Sequence, residues 1–388
     1  MYNFDKLLDR RNTDCNKWDA LEKNYGNANL MPFWVADMDF EVLPELKEAL
    51  IKRASSTTYG YSYPNEQYYA NIIRWYQKRH GLKVKQNEIL NVPGVVTGFA
   101  FAIAALAPAG SKILINTPVY HHFMNSIQLQ GFELVDSPLI CEENGYYHID
   151  FEDLERKLAS GVKIYLMCSP HNPVCRVWTK YELQKITQLC EKYQVLIVSD
   201  EIHSDLVFKS HVHTPILMAS DYAASHSVLI AAPSKTFNIA GISSSFMIVP
   251  NPELRTKINN ILKAFHAGVN LFGFIASEAA YGYGEQWLNE LNLYLEENAK
   301  FVCDYFKKHL PQVKVTPPEG TYLMWLDFSA FGLSQDELME KLEKQAGVAL
   351  NNGDMFQPAH PGYVRFNIGT PRFYIEKGLQ KIVEAFAG

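Results

Sequence analysis

Residues 228–241 read VLIAAPSKTFNIAG, and the fold follows from the way this stretch changes character. Val228 to Ala232 is a short, wholly apolar run that reads as a buried strand, and it breaks at Pro233 into Ser234 and Lys235. A lysine at the end of a buried strand is an unusual placement. Its ammonium is strongly hydrated, and desolvation lowers its pKa until the amine becomes a nucleophile that condenses with carbonyl groups. Seen alone, a Ser-Lys pair in this position is most often a lysine reaching for solvent. Its meaning depends on what else ends beside it.

The same pattern recurs on either side. KILINTPVYHH predicts a strand over Ile113 to Asn116 that ends at Pro118, Val119 and Tyr120. KIYLMCSPHNP predicts another over Ile164 to Cys168, ending at Asn172 and Pro173, and VLIVSDEIHSD a third over Val195 to Ser199, ending at Asp200 and His203. SSFMIV, Ser244 to Val249, follows as a fifth. Upstream, ILNVPG (Ile89 to Gly94) is a strand and break before VVTGFAFAIAALA, an all-round apolar and therefore buried helix whose start near Thr97 leaves backbone N–H groups free. Helical segments such as Tyr181 to Tyr193 lie between most of the strands. Strands alternating with helices predict an α/β fold with a mostly parallel sheet and helices on both faces. Ligands of such sheets sit just beyond the carboxyl ends of the strands. Tyr120, Asn172, Asp200 and Lys235 all fall at that end, and their convergence is more informative than any one of them.

The remainder divides around this core. Residues 1–45 read as an arm associated with a smaller domain, and within it PFWVADMDF (Pro32 to Phe40) sets two aspartates among apolar neighbours, where they need partners. Residues 46–284 form the large domain. It opens with helices over Glu45 to Arg53 and Tyr68 to His80, the latter ended by Gly81, and between them TTYGYSYP is a tyrosine-rich turn. Glu285 to Leu310 is a long amphipathic helix leading into a small α+β domain, residues 285–388, with strands over Thr321 to Phe328 and Tyr363 to Ile368 and helices over Gln335 to Lys344 and Tyr374 to Phe386.

Composition removes several functions. With 47% apolar and 20% charged residues the chain is an ordinary globular protein, so long disordered segments are not expected. A net charge of -6 without a basic cluster gives nucleic acid or an anionic membrane little to hold. The opening residues lack the apolar core of a signal peptide and no apolar run approaches a membrane span, so a cytoplasmic protein is expected. Six cysteines without a CxxC pair suit reduced, structural thiols, and neither His121-His122 nor His211-x-His213 has the further ligands a zinc site needs. No metal is expected. A dinucleotide fingerprint and a Walker loop are both missing.

An aldehyde cofactor would engage every polar group at the sheet end. Lys235 would bind the aldehyde, Asp200 would keep a pyridine nitrogen protonated, Asn172 would donate to a phenolic oxygen and Tyr120 would cover the ring, which is the set expected for pyridoxal 5'-phosphate. The helix starting near Gly94 to Thr97 offers its N-terminus to the phosphate. Arg365, inside the apolar strand YVRFNI, should meet a carboxylate: either the α-carboxylate of an amino-acid substrate, held in a bidentate clamp, or Asp37 or Asp39 in a structural salt bridge.

Asn172-Pro173, Asp200 with His203, Ser234-Lys235 and Arg365 together resemble the fold-type I pyridoxal-phosphate enzymes of the class I/II aminotransferase group, over nearly the whole chain. PFWVADMDF, SPHNP, SDEIHSD and PSKTFNIAG are similar to the cystathionine β-lyase branch, the C–S lyases of the MalY/PatB type. The resemblance implies Lys235 as the Schiff-base lysine and proton shuttle, Asp200 as the partner of the pyridine nitrogen, Asn172 and His203 near the phenolic oxygen, and Tyr120 on the ring. It also implies Ser234 and the Val95-Val96 backbone on the phosphate, Arg365 on the substrate carboxylate, and a homodimer in which Tyr61 is lent across the interface. Three departures stand out. His203 occupies a place where many aminotransferases carry tyrosine, which favours the lyase branch. Gly241-Ile242-Ser243 lacks the phosphate-binding arginine common after the lysine, and Cys175 replaces a glycine that often follows Asn-Pro-x. The expected reaction is α,β-elimination from L-cystathionine or a cysteine S-conjugate. Transamination of aromatic or sulfur amino acids shares its first proton transfer, and a cofactor-binding regulatory protein is a third reading.

Overall fold

The computed structural model describes residues 2–356 and 361–387. Seven strands make the main sheet: β1 (Ile89–Val92), β2 (Lys112–Ile115), β3 (Glu133–Asp136), β4 (Ile164–Cys168), β5 (Leu196–Asp200), β6 (Ser227–Ala231) and β7 (Ser245–Ile248). Their order across the sheet is β1-β7-β6-β5-β4-β2-β3. From β6 to β3 all neighbours are parallel, and β7 alone runs against both of its neighbours. β4 and β6 are buried along their whole length, which is why they read as unbroken apolar runs rather than alternating ones. The sheet order leaves the carboxyl ends of β2, β4, β5 and β6 side by side.

Helix α1 (Val95–Leu106) lies on this sheet with Val95, Gly98, Phe99, Ala102 and Ile103 buried. Gly98 sets the approach, since a Cβ there would stand 3.2–3.3 Å from Ile230, Met247 and Val92. The sequence reading has this helix buried on all sides. In the fold only the sheet-facing stripe is fully covered, while Phe101 on another face stacks on Phe265 at 5.3 Å.

A long helix, α2 (Glu285–His309), buries Trp287, Leu288, Leu291, Leu295, Val302 and Phe306. It leads into an antiparallel sheet of β8 (Lys314–Val315), β9 (Leu323–Asp327), β10 (Asn351–Asn352) and β11 (Tyr363–Asn367), ordered β8-β9-β11-β10. The N-terminal segment adds Met31–Pro32 in parallel to Val348–Ala349. Its two aspartates are fully occupied. Arg10 pairs with Asp37 at 2.9 Å and Asp39 at 2.8 Å, while Lys17, which has no exposed side-chain surface, pairs with Asp39 at 2.6 Å. Among the described residues no helix is long and apolar enough to cross a membrane, and no group of three or more potential ligands forms a metal site.

Candidate active site

Four strands of the parallel block deliver the functional side chains. β5 ends on Asp200, β6 runs into a one-turn helix, Pro233–Thr236, that carries Ser234 and Lys235, β4 is followed by Asn172, and β2 by Tyr120. The N-terminus of α1, with Gly94 as a cap that supplies no side-chain bond, completes the ring with Val95 and Val96. Tyr120, Asn172, Asp200, His203, Ser234, Lys235, Val95 and Val96 all line one cavity, as the sequence reading expects, and Ala36 and Ser243 line it with them.

The electrostatics of this cavity are set by desolvation. Burial, followed by repulsion from Arg365, lowers Lys235 to about 8 against the opposing pull of Asp37 and Asp200. Its Nζ donates to the carbonyl oxygen of Ala36 at 2.6 Å. Burial raises Asp200 to about 7, offset in part by the Ile202 N–H that donates to Oδ1 at 3.0 Å. His203 is pushed down to about 3 by burial and by Lys235 and Arg365, so its imidazole is neutral, and its Nδ1 is buried without a partner among the described residues.

Arg365 lies behind Asn172. Its Nη1 donates to Asn172 Oδ1 at 3.1 Å, its Nη2 donates to Asn351 Oδ1 at 2.6 Å and to the Trp34 carbonyl at 3.1 Å, and the guanidinium rests over Phe356 at 4.8 Å. Every one of these partners is neutral, and among the described residues Nε has none. Asp37 and Asp39 are engaged by Arg10 and Lys17, so the structural salt bridge is not formed. Burial accordingly lowers Arg365 to about 10. A buried cation held only by dipoles is a receptor for an anion.

Tyr61 is not brought to this cavity within one chain. It is fully exposed, in a surface loop beside Tyr59 and Phe272. Cys175 keeps the turn that glycine would serve: it adopts φ +59°, in the left-handed region. Burial pushes its thiol up to about 12, which leaves it unreactive. Sequence reasoning missed the carbonyls of Trp34 and Ala36 as partners of the two cations, along with Tyr322 and Asn351. PFWVADMDF was the available signal, but a backbone acceptor carries no side-chain signature.

The donor set suits pyridoxal phosphate. Lys235 is a desolvated amine, Asp200 has an acceptor oxygen to spare, and the α1 N–H groups with the hydroxyls of Ser234 and Ser243 surround an anion position where, among the described residues, no arginine lines the wall. The fold and this site define the class: the chain belongs to the aminotransferase class I and II family, whose model matches residues 28–382. Within it, the chain is 40% identical over 387 residues to cystathionine beta-lyase PatB of Bacillus subtilis (strain 168), covering 99% of this chain and 100% of that one. Among solved structures, cystalysin from Treponema denticola, which contains a pyridoxal 5'-phosphate cofactor, superimposes with a TM-score of 0.96 at 33% identity, covering 100% of this chain and 99% of that one. The PLP-bound C–S lyase from Staphylococcus hominis gives 0.92 at 32% identity, again covering 100% and 99%.

Proposed function

We infer that this protein is a pyridoxal-phosphate-dependent C–S β-lyase that converts L-cystathionine or related cysteine S-conjugates into a thiol, pyruvate and ammonia. The observation that carries it is the pairing of a desolvated lysine with a buried guanidinium that has only neutral partners, in a chain related along its whole length to a cystathionine β-lyase. Bound in the cavity, pyridoxal phosphate supplies an aldehyde for amines and a ring that accepts the electrons left when Cα loses its proton. Asp200 is the partner of the ring nitrogen, Asn172 and His203 of the phenolic oxygen, and Tyr120 covers the ring. Ser234 and the Val95 and Val96 N–H groups hold the phosphate, with Tyr61 of a second subunit beside them.

Arg365 binds the substrate carboxylate in a charge-assisted fork that its neutral partners leave open. Lys235, with a pKa of about 8, exists in useful part as the free amine near neutrality, so its Nζ removes the Cα proton and carries it. The Cβ–S bond then breaks, the thiol leaves with a proton, and the three-carbon remainder takes up water to release pyruvate and ammonia. We assign residues 46–284 to the cofactor-binding domain and 285–388 to the small domain, with residues 1–45 as an arm on the latter. Six free cysteines support a reducing, cytoplasmic setting.

The test is pyruvate release from L-cystathionine with added pyridoxal phosphate and no keto acid. Sustained turnover is expected, and Lys235→Ala should abolish it with an unchanged circular dichroism spectrum. Activity that appears only when a keto acid is supplied would instead identify a transaminase.

A further inference from the structure

Tyr322 lies one residue before β9 and is 1% exposed. Its hydroxyl donates to the Ala36 carbonyl at 3.0 Å, the same oxygen that accepts from Lys235 Nζ at 2.6 Å. One backbone acceptor therefore serves both groups. The Tyr322 ring also meets His203 edge-on, with centroids 5.9 Å apart. Ala36 cannot follow the lysine freely, because Asn367 Nδ2 donates to the carbonyls on either side of it, Val35 at 2.6 Å and Asp37 at 2.7 Å.

The backbone that presents Tyr322 is strained. Thr321 has φ +66°, a left-handed conformation that a β-branched residue adopts only at a cost. Three hydrogen bonds hold it there: Thr321 N–H donates to Leu206 O at 2.7 Å, its hydroxyl donates to Leu323 O at 3.2 Å, and it accepts from Leu323 N–H at 3.1 Å. Gly320, just before, is pressed so close to Leu206 that a Cβ would stand 2.5 Å from its carbonyl oxygen. Leu206 belongs to the same loop as His203. This turn leads directly into the residue whose hydroxyl meets the Ala36 oxygen.

We propose that Tyr322 is a positioning residue for Lys235, acting through the shared Ala36 carbonyl to fix where the lysine nitrogen rests and how firmly its proton is held. A carbonyl that accepts two hydrogen bonds is a weaker acceptor for each, so the hydroxyl limits the grip of Ala36 on the ammonium and keeps the amine available as a base. The charged and titratable groups that face the lysine are Asp37 from the arm, Asp200 from β5, Arg365 from β11, neutral His203, and Tyr120 after β2, whose phenol burial raises above its ordinary value. None of them changes when the tyrosine loses its oxygen. The role rests on the reading of Lys235 as the proton-moving group.

Tyr322→Phe tests it in two arms. In cofactor-free protein, amine-directed labelling of Lys235, read by peptide mass spectrometry against pH, should show a midpoint roughly half a unit to one unit above that of the parent. In the loaded enzyme, kcat should fall about tenfold with KM within about twofold, and the acid limb of the kcat profile should move up with the labelling midpoint. If Tyr322→Phe does not fold, Thr321→Val, which keeps the tyrosine but loses the hydroxyl that pins the turn, should move the midpoint in the same direction. A parent-like midpoint in the folded variant overturns the proposal, whatever the substrate. A parent enzyme that releases no pyruvate defeats the lyase reading instead and leaves the labelling arm intact.

Discussion

At the scale of single residues, the site is organised by charges kept from water without full compensation. Arg365 is the clearest case, and lysine cannot replace it: one ammonium lacks the planar fork and cannot meet Asn172, Asn351 and a carboxylate together. Arg365→Lys should raise KM for amino-acid substrates roughly 100-fold, the scale of a lost charge-assisted fork, with an unaltered cofactor absorption spectrum. A parent-like KM would remove Arg365 from substrate binding. Asp200 makes a pH-dependent prediction. Its folded pKa is raised from 3.8 to about 7, so the folded state binds the extra proton in that window and stability is lost as pH rises through it. In cofactor-free protein, Asp200→Asn should raise the melting temperature at pH 8 and leave it unchanged near pH 3.5, with a gain of at most about 4 kcal/mol. Equal shifts at both pH values would contradict the assignment. Asp200 was legible in sequence because it stands directly after an apolar run, and Arg365 because it interrupts one. Trp34 and Ala36 were not, since what they contribute is a carbonyl that any residue possesses.

Among elements, the strands that read clearly are those covered on both faces, and β4 and β6 fall within a residue of their expected bounds. β3 escaped notice because it is a half-exposed edge strand of sequence ELVD, too short and polar for an apolar run. The junction before α2 is equally silent in sequence and tightly constrained in the fold. Gly284 ends the preceding helix (Leu271–Tyr283) and caps α2, and a Cβ there would stand 2.2 Å from the ring of Phe237 and 2.5 Å from Ala280 O. Phe237 follows the turn that carries Lys235. Gly284→Ala should therefore cost about 1–3 kcal/mol, the usual range for overpacking, and weaken cofactor binding as well. Chemical denaturation and a fluorescence titration with pyridoxal phosphate would read the two effects, and unaltered cofactor affinity would show that the junction does not govern the lysine turn.

For the molecule as a whole, both sheets were foreseeable from the residues, whereas assembly was expected from the family resemblance alone, because a tyrosine-rich turn has the same sequence whether it faces water or a second subunit. Tyr59, Tyr61 and Tyr63 are all exposed. If Tyr61 completes the neighbour's site, inactive Tyr61→Ala and Lys235→Ala chains should complement. In a mixed dimer one site has both residues and the other neither, so random pairing should restore roughly a quarter of parent activity. No recovery after verified subunit exchange would place Tyr61 outside the site.

The arm that supplies Ala36 has a consequence in time. Phe33 donates its N–H to Ala349 and accepts from Asn367, and Asp39 donates to Gly369. These docking partners lie between residues 349 and 369. During synthesis the arm must therefore wait, undocked, until residues 349–369 have followed, and the resting place of Lys235 is completed only then. A nascent chain stalled before residue 348 would hold the parallel sheet, the lysine and Ala36, yet leave the arm undocked and its carbonyl without the contacts that set it beside that amine.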